Sequence, residues 1–222
     1  FTYEASPEFT PFPTFPLVLP FLGDQGHDVV PFPPPSLCLM PEGLEDFAPE
    51  GLLHAEQQLD LVVPLSHWPA TTSVHSCVES LHPKRKGALV ITRSDLTAPE
   101  SGQLLAVSRQ STFLRGASTD RGAYGPALDM PCPPARPPDR TIDLATHANQ
   151  ALLYRLAGDY NPLHVDSSIA SLLGFPRPIL HGLCTFGMAA RAALLYFQEL
   201  HPGSSLAEAA AKLERIGGRV SA

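Results

Sequence analysis

Two short segments of the 222-residue chain carry residue types whose spacing could do acid–base chemistry. The first runs Gly158-Asp159-Tyr160-Asn161-Pro162-Leu163-His164, and it sets a carboxylate five positions before an imidazole across one turn. Such a pair can share a water molecule, one group taking its proton while the other donates, as general acid–base catalysis near pH 7 requires. The same run is also ordinary turn chemistry, because Asp and Asn side chains bond nearby amides and Pro presets its own φ. His164 taken alone reads more readily as a satisfied, half-buried histidine than as a catalyst. On spacing alone both readings stay open.

The second segment is Pro178-Ile179-Leu180-His181-Gly182-Leu183-Cys184-Thr185-Phe186-Gly187. It leads into an apolar helix, whose free N-terminal amides and positive dipole end can hold a developing oxyanion. Gly182 lets a ligand approach the backbone closely, or else Gly182 and Gly187 serve only tight helix packing.

These segments must be positioned by the elements around them. Thr146 can cap a helix over residues 146–157, with Ala148, Leu152, Leu153 and Leu156 on one face and Gly158 as its stop. A second helix is predicted over 183–200, with Leu183, Phe186, Ala190, Leu194 and Phe197 at three- and four-residue spacing and Arg191 as its only interior charge. Apolar on nearly all sides, it should be buried and wrapped by a sheet. Upstream, alternating segments at 58–64, 71–81, 87–96 and 103–114 are joined by short turns, which requires an antiparallel meander.

Proline is concentrated in two places, eleven within residues 1–50 and six from Pro126 to Pro138. Lacking a backbone donor, it excludes these stretches from central strands and helix interiors. Residues 1–50 should be mostly extended loop, and 118–140 a linker.

A net charge of −7 with 15 Lys+Arg against 22 Asp+Glu does not suit a nucleic-acid partner. The one basic cluster, Lys84-Arg85-Lys86, reads as a solvated hairpin tip, with a contact to a phosphorylated cofactor as the alternative. No apolar run approaches the ~20 residues of a membrane span. Cys38, Cys77, Cys132 and Cys184 lie too far apart for a CxxC metal site or a dense disulfide framework, so thiols in a reducing compartment are expected.

The stretch 154–170, with Gly158-Asp159-x-Asn161-Pro162-Leu163-His164 followed by Ala170, resembles the signature of the type 2, or (R)-specific, enoyl-CoA hydratases of the MaoC-like family. Residues 178–187 resemble that family's entry into its central helix. Tyr3-Glu4-Ala5-Ser6-Pro7, Pro13-Thr14-Phe15 and His54-Ala55-Glu56-Gln57 resemble the non-catalytic first half of its eukaryotic members, including the hydratase unit of the peroxisomal multifunctional enzyme. Ala157 and Ala55 depart from the pattern, each by another small residue.

The resemblance implies an α+β hot-dog fold, an antiparallel sheet wrapped around a central helix. It is a double hot-dog, with a first half over 1–117, the linker over 118–140 and a catalytic half over 141–222. It implies reversible hydration of a trans-2-enoyl-CoA thioester to the (3R)-3-hydroxyacyl-CoA, with no metal and no cofactor beyond the CoA of the substrate. Asp159 and His164 would activate water and deliver a proton to the α-carbon. Asn161 would orient them, and the Gly182 amide would stabilise the thioester enolate. His181, Leu183, Tyr160 and Glu56 would bind substrate. A homodimer in the peroxisome is the family's expectation, with the cytoplasm as the alternative compartment.

Without an initiator Met, and ending in a segment that reads as the start of a strand, the chain is expected to be a fragment with both halves incomplete. Each few hundred Å² of helix face left bare would cost several kcal/mol at roughly 25 cal/mol per Å². An acyl-carrier-protein dehydratase, a catalytically silent acyl-CoA-binding or dimerisation module, and a non-functional gene-model fragment are the competing readings.

Overall fold

The computed structural model describes residues 1–7, 9–22, 32–34, 38–45, 52–130 and 132–219. The expected loop over 1–50 therefore lies partly outside the described residues. What is described there includes a 3-10 helix, Phe15–Phe21, entered through Pro16 and burying Leu17 and Phe21.

The alternating segments form strands. After a two-residue strand β1 (Leu44–Glu45) come β2 (Leu52–Leu61), β3 (Ser73–Lys84), β4 (Gly87–Thr97) and β5 (Leu104–Arg115). Then β6 (Ser118–Thr119) pairs with β1. A last strand, β7 (Arg215–Arg219), adds to the free side of β2, so the main sheet reads β3-β4-β5-β2-β7. All its pairs are antiparallel, as the short turns require. The sheet thus takes four strands from the first part of the chain and its fifth from the last part. Arg85 and Lys86 form the exposed turn between β3 and β4, the hairpin tip expected of them.

Among the described residues, four α-helices follow the linker: α1 (Gln150–Tyr154), α2 (Ser167–Leu172), α3 (Gly182–Leu200) and α4 (Leu206–Ala211). The start of α3 lies against the sheet, where Leu183 and Phe186 join Leu59 of β2, Leu96 of β4 and Ala106 of β5 in one core, with Leu17 and Phe21 beside them and Ile216 of β7 at its margin. A helix laid on an antiparallel sheet in this way is the hot-dog arrangement expected. A capping box between Ser205 and Glu208 starts α4, which packs Ala209 and Ala210 on Leu194. Ser205-x-x-Glu208 could have announced that helix from sequence.

Two expectations about the helices are corrected. The helix predicted over 146–157 is one α-turn and a 3-10 turn, Arg155–Ala157, and Thr146 does not cap it: Asn149 holds the N-cap position. Its leucines face outward, Leu152, Leu153 and Leu156 being 49%, 52% and 68% exposed. In so short a helix one side chain suffices as anchor, and here Tyr154 packs on the main core instead. The second correction concerns α3, which is buried along one stripe only. Leu183, Phe186, Ala190 and Leu194 face inward, while Thr185, Ala189, Arg191 and Ala193 are exposed. The sheet covers one side of it, and Thr185 and Ala189 border a cavity on another.

The linker is mostly exposed, but its first part is fastened to the sheet. Tyr124 exchanges backbone hydrogen bonds with Leu81 of β3 at 3.0 and 3.1 Å. All four cysteines are free thiols, with Cys184 alone buried. No described helix is long and apolar enough to cross a membrane.

Candidate active site

The site is built around the turn that leaves α1. Gly158 takes a left-handed backbone at φ 112°, which reverses the chain and starts the 159–164 loop. The loop then closes on itself. The Asn161 amide donates to Asp159 Oδ1 at 3.2 Å, and Asn161 Oδ1 accepts from the Leu163 amide at 3.0 Å, capping a 3-10 turn over Pro162–His164. The turn chemistry is thus present, and the same turn holds Asp159 and His164 on one loop.

His164 Nδ1 lies 2.9 Å from the Ile179 carbonyl, so that nitrogen carries the proton and Nε2 keeps its lone pair. Ring nitrogens of His164 and His181 and a carboxylate oxygen of Asp159 all fall within 4.8 Å of one another. Burial pushes the Asp159 carboxyl above its ordinary value, against the opposing pull of His164 and the Asn161 amide. Burial also pushes His164 down, against its bond to Ile179 and the Asp159 charge. Both shifts favour the uncharged pair, a protonated acid beside a neutral base, which is a donor and an acceptor for one water.

His181 stands behind them, with no exposed surface. Its ring stacks on His164 with centroids 3.7 Å apart, and its Nε2 donates to the Asp159 carbonyl at 3.1 Å. Burial, with the His164 and Arg155 charges adding, pushes it down to about 3, so it is neutral. The two imidazole planes meet at 28°.

Asp159, Asn161, His164, Gly182 and Leu183 line one cavity of about 780 Å³. The far wall comes from β2 and β5, through Leu53, His54 and Phe113. Gly182 and Leu183 open α3, where the amides have no intrahelical acceptor, and the N-cap residue His181 makes no side-chain cap bond to them. They are donors at the positive end of a 19-residue helix, suited to an oxygen that gains charge.

Of the eight residues singled out from sequence, the structure brings these five to the cavity. The other three lie elsewhere. His181 is behind the pair, Tyr160 lies under the Arg155 guanidinium at 4.6 Å, and Glu56 is bound to Arg219 at 2.8 and 3.0 Å. Sequence reasoning gave no function to His54 and Arg219, both of which border the cavity. Nothing in their local spacing marks them, since their place depends on which strands become neighbours.

Comparison with known proteins finds the family model MFE-2 hydratase 2 N-terminal domain over residues 1–116 and MaoC like domain over 129–204. The chain is 39% identical over 208 residues to the peroxisomal multifunctional enzyme type 2 of Drosophila melanogaster, covering 91% of this chain and 33% of that protein. It is 36% identical over 208 residues to a probable enoyl-CoA hydratase 2 of Dictyostelium discoideum, covering 91% of this chain and 66% of that one. Among solved structures it matches a MaoC-like dehydratase from Phytophthora capsici with a TM-score of 0.83 and 37% identity, over 100% of this chain and 72% of that chain. The chain thus spans a third to two thirds of the length of these curated relatives.

Proposed function

Because the chain belongs to the MaoC-like hydratase 2 family, we propose that it adds water reversibly to a trans-2-enoyl-CoA thioester, giving the (3R)-3-hydroxyacyl-CoA of fatty-acid metabolism. The observation that carries this reading is the buried Asp159–His164 pair sharing one cavity with the unclaimed first amides of α3.

In the hydration direction a water sits between the two side chains. His164 Nε2 takes one of its protons as the oxygen bonds to the β-carbon, and the protonated Asp159 carboxyl delivers its own proton to the α-carbon. Charge that gathers on the thioester oxygen in between is held by the Gly182 and Leu183 amides. The imidazolium and carboxylate left behind exchange one proton to restore the starting pair. Asn161 fixes Asp159 through its amide and its own side-chain cap. A carbonyl conjugated to the alkene is already the electron sink, so the reaction requires no metal or cofactor.

In this reading residues 1–117 and 141–222 are the two hot-dog halves, joined by 118–140 and working as a homodimer. The peroxisomal names of several relatives support that compartment. The test is hydration of a short trans-2-enoyl-CoA with chiral analysis of the product. The expected result is the (3R) alcohol, with rates lowered by roughly 10²–10⁴ in Asp159→Asn and His164→Ala. Acyl-CoA binding without turnover by the folded chain would instead identify a silent binding module.

A further inference from the structure

A CoA thioester carries its phosphates at the far end of the pantetheine arm, away from the reacting carbons, and those anions call for cations. The cavity supplies none, because the one Lys or Arg on its wall, Arg219, is already bound to Glu56 at 2.8 and 3.0 Å. Outside the cavity the cations divide into two groups. Arg93, Arg109, Arg215 and Arg219 of the sheet are each paired with a carboxylate. Among the described residues Lys84, Arg85, Lys86, Arg115 and Arg177 have no such partner, and all five are exposed. The other cations without a carboxylate are scattered: Arg155 lies over the Tyr160 ring, Lys212 over Phe197, and Arg191 stands alone on α3.

The five gather at one end of the sheet. Lys84, Gly87 and Arg115 are cross-strand partners at the ends of β3, β4 and β5. The Gly116 amide donates to the Lys86 carbonyl at 3.0 Å, so the hairpin tip and the end of β5 form one ledge. That ledge borders the cavity. A Cβ on Gly87 would stand 3.1 Å from Cζ of Phe113, a wall residue, and Arg115 follows two positions later on the same face of β5. Arg115 Nη1 in turn donates to the Leu173 carbonyl at 2.7 Å, which ties the ledge to the loop leaving α2. Phe175 and Ile179 of that loop are also wall residues, and Arg177 stands exposed between them in sequence. In a chain of net charge −7, a ledge of cations without acids is suited to an anion that comes from outside.

We infer that Lys84, Arg85, Lys86 and Arg115, with Arg177 on the adjoining loop, hold the 3′-phosphate and diphosphate of the CoA substrate while its thioester reaches Asp159 and His164. The guanidinium groups offer paired donors to phosphate oxygens, and the ammonium groups add point charge. Exposed cations act on an approaching anion through their field, so their main effect is on capture of the substrate and not on the chemical step. The ledge is two strand spacings wide, about 10 Å. That width suits a nucleotide better than a carrier protein, whose interface would bury roughly 800 Å² on each side.

The inference rests on the CoA-thioester reading above, and a pair of substrates separates the two. Crotonyl-CoA and crotonyl-N-acetylcysteamine share the reacting atoms, and the second lacks every phosphate. Hydration of both, and of crotonyl on an acyl carrier protein, is measured for the whole chain, for the triple variant Lys84→Ala, Arg85→Ala, Lys86→Ala, and for Arg177→Ala. Arg191→Ala removes an exposed cation elsewhere and is the control. The expected result is a wild-type preference for crotonyl-CoA, read as the ratio of the two small thioesters' kcat/KM. That ratio falls about tenfold in the triple variant and severalfold in Arg177→Ala, through KM, and holds in Arg191→Ala. The wild-type KM for crotonyl-CoA rises with salt, and less steeply in the triple variant.

An unchanged ratio in the triple variant and in Arg177→Ala refutes the ledge while the hydratase reading stands. Turnover of the carrier-protein thioester that drops in the triple variant while the CoA ratio holds gives the ledge to an acidic protein surface, and overturns the inference. If the wild type hydrates no thioester, the hydratase reading fails, and calorimetric titration with 3′-phosphoadenosine 5′-phosphate decides the ledge by itself. Binding that is lost in the triple variant and kept in Arg191→Ala supports it, and no binding by the wild type refutes it.

Discussion

The imidazole of His181 lies on that of His164, centroids 3.7 Å apart and planes 28° from parallel, while its Nε2 holds the backbone carbonyl of Asp159. One fully buried side chain thus touches both Asp159 and His164, the one through its backbone and the other through its ring face. The first residue before α3 is tied in this way to the loop that precedes α2, and the cavity between them keeps its width.

The two contacts can be separated. His181→Phe keeps a ring for the stack but removes the donor to Asp159, whereas His181→Ala removes both and leaves a cavity. The alanine variant should lose about 2–4 kcal/mol of stability, and the phenylalanine variant less than half of that, because it also removes the unpartnered Nδ1. Hydratase kcat should fall in both, on the order of tenfold or more, with KM changing less. Urea unfolding alongside steady-state kinetics checks this, and full kcat in His181→Phe would show that the hydrogen bond to Asp159 does nothing.

Histidine burial also sets a pH limit on stability. The folded chain holds His54 at about 4 and His181 at about 3, against 6.5 for the unfolded value. As pH falls below 6.5 the unfolded chain takes up protons that the folded chain refuses, so stability drops down to those folded values. Each histidine should contribute a slope of about 1 kcal/mol per pH unit between 6 and 4. Chemical denaturation at pH 7, 6 and 5 should show this loss, with His54→Leu removing part of it and the lowered His181 and His164 accounting for the rest. A flat stability profile across that range would overturn the assignment of two neutral buried histidines.

How much of this was readable from the chain follows from what each feature depends on. The meander over β2–β5 and the start of α3 are local patterns, alternation and a helical stripe, and sequence shows them. So is the Asp159–His164 turn, whose Gly, Asn and Pro fix it within a few residues. The α1 leucines misled because an apolar triad at helical spacing is the same whether it faces a core or solvent, and only the neighbouring elements decide. His181, His54 and Arg219 depend on longer-range neighbours still: a helix cap packed behind a loop, a bulge in β2, and the pairing of β7 with β2. No pattern within one segment encodes those.

Gly158 couples the loop to the other half of the chain. At its φ of 112° a side chain is strained, and a Cβ would stand 2.9 Å from Phe21 Cβ and 3.0 Å from Phe21 O, the end of the 3-10 helix Phe15–Phe21. Gly158→Ala should therefore cost about 1–3 kcal/mol and displace Asp159, which follows it directly. Hydration should fall more than acyl-CoA binding, because the displaced group is the acid rather than the cavity wall. Thermal unfolding with parallel binding and rate measurements tests this, and a variant with wild-type kcat would show that the loop tolerates the shift.

Glu56 and Arg219 make an ion pair whose two ends sit in different surroundings. The Glu56 side chain is 11% exposed and that of Arg219 is 72% exposed, and both guanidinium bonds go to Glu56 Oε1. Removing one partner should therefore not cost the same as removing the other. Glu56→Gln leaves a guanidinium that water can solvate and a carboxamide that can still accept a bond, so stability should change by less than about 1 kcal/mol. Arg219→Ala strands a mostly buried carboxylate at the β2–β7 junction and should cost about 1–3 kcal/mol. Urea unfolding of both variants at pH 7 reads the asymmetry. Equal losses in the two variants would mean that the pair acts as an ordinary surface contact.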